Sequence, residues 1–315
     1  MVFLIFLGVG AGLVSALLLG TIAVGSLLGV LLFWLAPLPL IIVGIGWHWL
    51  VAALGALSAG VALSEVLHSN IALAYMAMIG LPATVLGFLA TYHRRNGDGE
   101  AGYLPPGIFV LLCVLYAVAV VVIGAMMVDT SLAGLQERLA SNTETLLRMN
   151  LQIPPGQPLV YDSQDISTLP QIYALMMPSV ATATMGITLL LSFWLGALVV
   201  RQSGRLPRPW PRLSLTTLPA GSLIILAASV ALTFTSGYIG LTGSLAVTAM
   251  VLAFALQGFA VVHFMVRAAP FRIVLLTILW LAVLLIGLPA LFLAALGVID
   301  QIFDLRRQRI AAGRN

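Results

Sequence analysis

Glu65 is the only acid inside or beside the first four hydrophobic stretches, and His68 follows it by three residues. On a helix that spacing sets both side chains on one face. Inside a bilayer, a carboxylate beside an imidazole is a candidate proton or ligand site, because an intramembrane charge is costly and marks function by default. At the end of a span the same two residues simply meet water, and Asn70 beside Ser69 favours that end. Gln257 and His263 are two further candidate polar groups within a single apolar run. Six residues apart, they fall on different helical faces, so an interhelical hydrogen bond is the expected role of each. His48 lies between Trp47 and Trp49. That triplet reads as an interfacial aromatic anchor rather than a metal site.

Signatures of catalysis are missing. The sequence has no His-Glu-x-x-His, no phosphate loop with Gly-Lys-Ser/Thr and no paired cysteines. Ala56-Leu-Ser58-Ala-Gly60 resembles a degraded Gly-x-Ser-x-Gly, but a hydrolase elbow needs a strand-to-helix turn and this stretch reads as a membrane helix. An intramembrane serine protease using Ser58 or Ser236 with His263 lacks any marked oxyanion site or matching second motif. The single Cys113, inside an apolar run, forms neither an internal disulfide nor a thiolate cage and reads as a buried small hydrophobe. No catalytic residue, metal or cofactor is predicted.

The elements that must position these groups are set by composition. Of 315 residues, 61% are hydrophobic and 8% are charged, and mean hydropathy is +1.13. A soluble domain carries about 25% charged residues. A soluble domain, a disordered chain and a collagen-like repeat are excluded, which leaves an all-α polytopic transmembrane helix bundle in a lipid bilayer. The net charge of +4 comes from 14 arginines against 10 acids, with no lysine. Because the arginines fall in short segments between hydrophobic runs, no nucleic-acid partner is predicted.

The first charged residue is Glu65, so the opening is long enough for three spans of about 20 residues. The amino terminus lacks the basic n-region of a signal peptide and reads as a mature helix. Spans are predicted near 2–20, 22–45, 47–66, 70–91, 107–128, 172–200, 214–236, 242–265 and 273–298, about 8–9 in all. The whole of 1–315 reads as one integral membrane domain: a four-span half over 1–91, an acidic loop over 129–170, carboxyl-terminal spans over 172–298 and a basic tail over 299–315. Pro37/Pro39, Pro178 and Pro289 interrupt spans, and interrupted backbone survives at depth only where protein or a cavity satisfies it. In the long loop, Leu132, Leu135, Leu139 and Leu146 recur near helical spacing. An amphipathic helix is expected there, capped by Asp129 or Thr130 and stopped by Pro154-Pro155.

Orientation follows from arginine placement. Arg201, Arg205, Arg208 and Arg212 form an acid-free loop and are the expected topology determinants. They put the 92–104 loop and the amino terminus inside and the 129–170 stretch, with its net charge of −3, outside. The 267–272 turn and the tail are both arginine-rich, yet one predicted span separates them. Either one of them breaks the charge rule or 273–298 does not cross once, and a re-entrant or tilted segment would keep both inside.

Two ladders of small residues recur every fourth position, Gly8, Gly12, Ala16, Gly20 and Ala52, Ala56, Gly60, Ser64. Such stripes let helices approach closely in lipid. Packing within the chain is one use, and docking of another membrane protein is the other.

Several segments resemble the YybS-like family of predicted bacterial multi-pass membrane proteins. They are Leu38-Pro39-Leu40, Met177-Pro178-Ser179, the Arg201–Arg212 loop leading to Leu218-Pro219, Gln257-Gly-Phe-Ala-Val-Val-His263, and Leu296-Gly-Val-Ile-Asp300-Gln-Ile-Phe-Asp304-Leu-Arg306-Arg307. That family is distantly similar to the substrate-binding membrane subunits of energy-coupling-factor transporters, where small-residue stripes dock a coupling protein. The resemblance implies that the Gly8–Gly20 ladder docks a membrane partner. This chain departs by about three more spans and the long acidic loop, and no ligand residue carries over. The expected function is binding or moving an unidentified small molecule across the bacterial plasma membrane. The alternative is a non-transporting scaffold for an envelope complex.

Overall fold

The computed structural model describes residues 1–67, 69–95, 101–162 and 164–311. Among them helices dominate, joined by two small hairpins, β1 His93–Arg95 with β2 Ala101–Tyr103 and β3 Val160–Tyr161 with β4 Gln164–Asp165. The helices are α1 Val2–Gly20, α2 Leu27–Trp34, α3 Leu38–Gly46, α4 Trp49–Val66, α5 Ser69–Tyr75, α6 Leu81–Thr91, α7 Pro106–Val128 and α8 Leu132–Leu151. They continue with α9 Leu169–Gln202, α10 Ser222–Thr233, α11 Gly237–Met265, α12 Arg272–Ile286, α13 Pro289–Phe303 and α14 Leu305–Ala311. Among the described residues, seven segments are long and apolar enough to cross a bilayer, or eight with the bent pair α12–α13.

Proline sets the breaks, and polar side chains of the same chain repair them. Pro37 and Pro39 remove two backbone donors, and the second span divides into α2 and α3 around 35–37. The freed Ala36 carbonyl accepts from Ser15 Oγ at 2.6 Å, and Ser15 Oγ accepts from the Tyr75 hydroxyl at 2.8 Å. The Trp34 carbonyl accepts from Ser192 Oγ at 3.2 Å. Ahead of Pro82, the fourth span widens into a π-turn over Met76–Gly80, and the Ala77 carbonyl accepts from the Tyr116 hydroxyl at 2.5 Å. Each repair satisfies a group that lipid could not.

Two expected spans come out differently. The 214–236 segment holds a single 3-10 turn, Leu213–Leu215, then non-helical backbone, then the 12-residue α10. Pro219 explains this: it has no N–H and disfavours helical backbone at Leu218. At about 18 Å, α10 is shorter than a hydrocarbon core. The 273–298 segment is two helices bent by 119°. The break falls at Gly287, whose positive φ of 74° glycine tolerates, while Pro289 opens α13 instead of ending α12. The bend brings the two arginine-rich flanks to one end of the bundle: Arg309 Nη1 lies 2.9 Å from Met265 Sδ, at the end of α11.

The small-residue ladders pack inside the chain. Gly8 and Gly12 lie against α4, where a Cβ on Gly12 would sit 2.0 Å from the Gly55 carbonyl oxygen. Ala16 packs on the amino-terminal core, whereas Gly20 has open space around its Cβ position. Ala52 meets Gly44, Ala56 meets Gly80, and Gly60 meets the Met76 side chain. Ser64 donates to its own helix at the Val61 carbonyl. α4 therefore serves three neighbours, with Gly55 facing α1 and the Ala52–Gly60 stripe facing α3 and the fourth span.

The long loop contains the expected amphipathic helix, α8, capped differently from expectation. Ser131 is the cap, its Oγ accepting from the Gly134 N–H at 3.0 Å, and Asp129 in turn accepts from the Ser131 N–H at 2.9 Å. Leu135 is buried, whereas Leu146 is 60% exposed. α8 lies along α9, whose 34 residues measure about 51 Å and exceed what a span requires.

Candidate functional site

The arginine-bearing end of the bundle gathers the polar groups. Arg201 lies over the Trp210 ring and Arg205 over the Trp47 ring, with guanidinium-to-centroid distances of 4.8 and 4.5 Å. Arg208 donates to the Leu104 carbonyl at 2.9 Å and lies over Tyr103, whose hydroxyl donates to the Pro207 carbonyl at 2.5 Å. Desolvation beneath these rings pulls the Arg208 pKa down from its ordinary value. Arg212 is exposed. Three of the four expected topology determinants thus also clamp the loop to its neighbours.

Behind this loop lies a buried polar network. Close helix approach makes room for it: a Cβ on Gly258 would stand 1.9 Å from the Leu293 carbonyl oxygen, and one on Gly297 would stand 2.1 Å from that of Phe254. At this α11–α13 crossing, Gln257 Nε2 donates to Asp300 Oδ2 at 3.0 Å and to the Gly297 carbonyl at 3.2 Å. Gln257 Oε1 accepts from the Leu218 N–H at 2.9 Å. Arg306 grips Asp300 through Nη2 at 2.7 Å and Nε at 3.2 Å, and its Nη1 donates to the Ser214 and Thr216 carbonyls. Gln301 Nε2 donates to the Leu218 carbonyl at 3.2 Å. Gln257, Asp300 and Arg306 are at most 3% exposed.

The network holds the backbone that Pro219 keeps out of a helix. Its charges and the Gln257 amide are bonded, which makes that part rigid. Among the described residues, four buried side-chain atoms have no protein partner: Arg208 Nε, Thr216 Oγ1, Ser222 Oγ and Gln301 Oε1. Buried polar groups are almost always bonded, and the last three belong to the 213–222 segment or to the glutamine that donates to its Leu218 carbonyl.

Of the sequence candidates, only Gln257 belongs to it. His263 lies two turns further along α11, where its Nδ1–H donates to the Phe259 carbonyl at 2.9 Å. Glu65 is exposed in the last turn of α4, at the end of that helix away from Trp49 and the arginine-bearing loops. His68 lies outside the described residues. Glu65 occupies a span end. In the sequence, Asp300 and Arg306 stand out only within the Leu296–Arg307 segment and the basic tail, not as site candidates. Asp300 is nonetheless the first acid after Asp165 and falls within an apolar helix, a signal that could have marked it.

A family model described as "Predicted membrane protein (DUF2232)" matches residues 13–301. The match contains Gln257 and Asp300 and ends before Arg306. No curated protein and no solved structure matches the chain.

Proposed function

This chain belongs to the DUF2232 family of predicted membrane proteins, and on that premise we propose that it binds or moves a small polar molecule through its helical bundle. The observation that carries the reading is the trio of unpartnered buried oxygens, Thr216 Oγ1, Ser222 Oγ and Gln301 Oε1, beside irregular backbone and a buried ion pair. Half-helices and unwound segments are where membrane transporters place substrate groups. A buried ion pair adds little to stability over apolar residues of the same volume, which favours a working role for Asp300 and Arg306. In this reading the chain is not an enzyme. It resides in the bacterial plasma membrane, with the arginine-bearing end inside the cell, and kinship with the YybS-like proteins is part of the same proposal.

Purified protein incubated with small-metabolite pools should retain a compound, and the variant T216V/S222A/Q301L should lose it. No retained metabolite, together with no uptake phenotype on deletion, overturns the proposal.

A scaffold role is the second reading. Its support is that Ser15, Ser192, Tyr75 and Tyr116 already satisfy the breaks of the amino-terminal half, leaving no unpaired polar group at those points. A stoichiometric partner in cross-linking and co-purification supports it, and a solitary protein sinks it.

A further inference from the structure

Arg306 is held the way a binding site holds a cation. Its Nη2 and Nε donate to Asp300 Oδ2 and Oδ1 at 2.7 and 3.2 Å, and its Nη1 donates to the Ser214 and Thr216 carbonyls at 2.9 and 3.0 Å. Four acceptors from two separate parts of the bundle thus converge on one buried guanidinium.

This cage is positioned by residues other than the tail. Gln257 donates to Asp300 Oδ2 and accepts from the Leu218 N–H, so one amide of α11 ties the carboxylate to the irregular segment. The Leu218 N–H is the donor that would close a helix on the Ser214 carbonyl, and its bond to Gln257 leaves that carbonyl for a cation. Gly258 and Gly297 let α11 and α13 meet at backbone distance behind the cage. Beside it, Thr216 Oγ1 and Gln301 Oε1 are buried without a partner. Thr216 is the residue whose carbonyl holds Arg306, and Gln301 follows Asp300. The cage therefore offers more acceptors than one arginine uses.

The cation itself comes from a different element. Arg306 sits on α14, seven residues long, beyond a hinge at Asp304 with left-handed backbone at φ 53°. Its neighbours on α14 face outward: Arg307 is 85% exposed and reaches back to Asp304, and exposed Gln308 donates to the Phe303 carbonyl. Beyond Arg306, the contact of Arg309 Nη1 with Met265 Sδ at 2.9 Å ties this helix to α11.

We propose that Arg306 is a tethered plug in a cation site, and that a small guanidinium compound takes its place against Asp300 and the Ser214 and Thr216 carbonyls when α14 lifts. The proposal rests on the reading that a small polar molecule enters this end of the bundle, and it names the chemical class of that molecule. A guanidinium matches because its planar N–H fork fits a carboxylate bidentately and has donors left for carbonyls. A tethered group competes at an effective concentration of about 1 mM or more, so the plug sets the ligand level at which the site opens.

The test uses the full chain in neutral detergent with agmatine as the probe and tetramethylammonium, which has charge but no N–H donor, as its control. A nitroxide on Q308C reports movement of α14, the native Cys113 being buried. Agmatine should raise the nitroxide mobility saturably, and tetramethylammonium at the same concentration should not. By calorimetry, R306Q should bind agmatine at least about tenfold more tightly than the parent, since the competitor is gone. D300L/R306M should bind none. Unchanged mobility with agmatine overturns the proposal, as does an equal response to tetramethylammonium. R306Q binding no tighter than the parent, or D300L/R306M binding as R306Q does, also overturns it. Should R306Q fail to fold, the nitroxide measurement decides, because it keeps both Arg306 and Asp300. A retained metabolite that T216V/S222A/Q301L loses, with no agmatine response, would strike the plug and leave the small-molecule reading standing. Agmatine-driven release of α14 with no metabolite retained would do the reverse.

Discussion

Asp300 and Arg306 are six residues apart in the chain and face each other as a bidentate ion pair, with Nη2 2.7 Å from Oδ2 and Nε 3.2 Å from Oδ1. No helix brings positions i and i+6 together. The pair exists because Asp304 takes left-handed backbone, at φ 53°, and turns α14 back over the end of α13. That reversal is what allows a tail arginine to reach the Ser214 and Thr216 carbonyls.

Removing one partner strands the other in a buried site. D300N should destabilise the detergent-solubilised protein by about 3–5 kcal/mol, whereas D300L/R306M should fall well short of the summed single losses. Thermal or denaturant melting of the four-member cycle checks this. Additive losses would show that the two side chains act separately.

Glycine contacts differ sharply in tolerance. G12A sets a methyl 2.0 Å from the Gly55 carbonyl oxygen, and G297A sets one 2.1 Å from that of Phe254, whereas G60A meets the flexible Met76 side chain at 3.4 Å. The first two should each cost about 1–3 kcal/mol or more, because backbone must move, and G60A less than about 1 kcal/mol. Melting temperatures rank them. A G12L variant should lose folding itself, in contrast to a docking surface, where folding survives and a partner is lost.

The start of α8 should be acid-sensitive. Hydrogen bonds from the Ser131 backbone N–H and hydroxyl, with Arg138 behind them, hold the Asp129 carboxyl below its ordinary value of 3.8. A depressed pKa contributes stability that is fully present above the unfolded value and is lost as pH falls through the folded one. Protection factors at Ser131–Gly134, which divide out the intrinsic pH dependence of exchange, should therefore stay high near neutrality and fall below about pH 4. In D129N they should be low throughout and show no such fall.

Reporter tags at the 201–212 loop, the 267–272 turn and the carboxyl tail should all register on the cytoplasmic side, with one in 129–170 outside. The 119° bend and the Arg309–Met265 contact require the turn and the tail to share a side. A tail on the opposite side from the turn would mean that α12 and α13 cross as one span.

Composition and arginine placement by themselves determined that this is an α-helical membrane protein, where most of its helices lie, and which of its ends carries the basic groups. Those properties depend on the solvent around each segment, and a local window of sequence reports them. The break at Pro37 was visible and the one at Pro219 was not, and the groups that repair both were hidden: Ser15, Ser192, Gln257 and Arg306 lie far along the chain from the backbone they satisfy. Glycines told the same story, since Gly55, Gly258 and Gly297 matter through the helix opposite and not through their own spacing. Only the tertiary structure decided that Asp300 meets Arg306 and that Glu65 stands at a span end, because a buried polar group is defined by partners that folding brings from elsewhere.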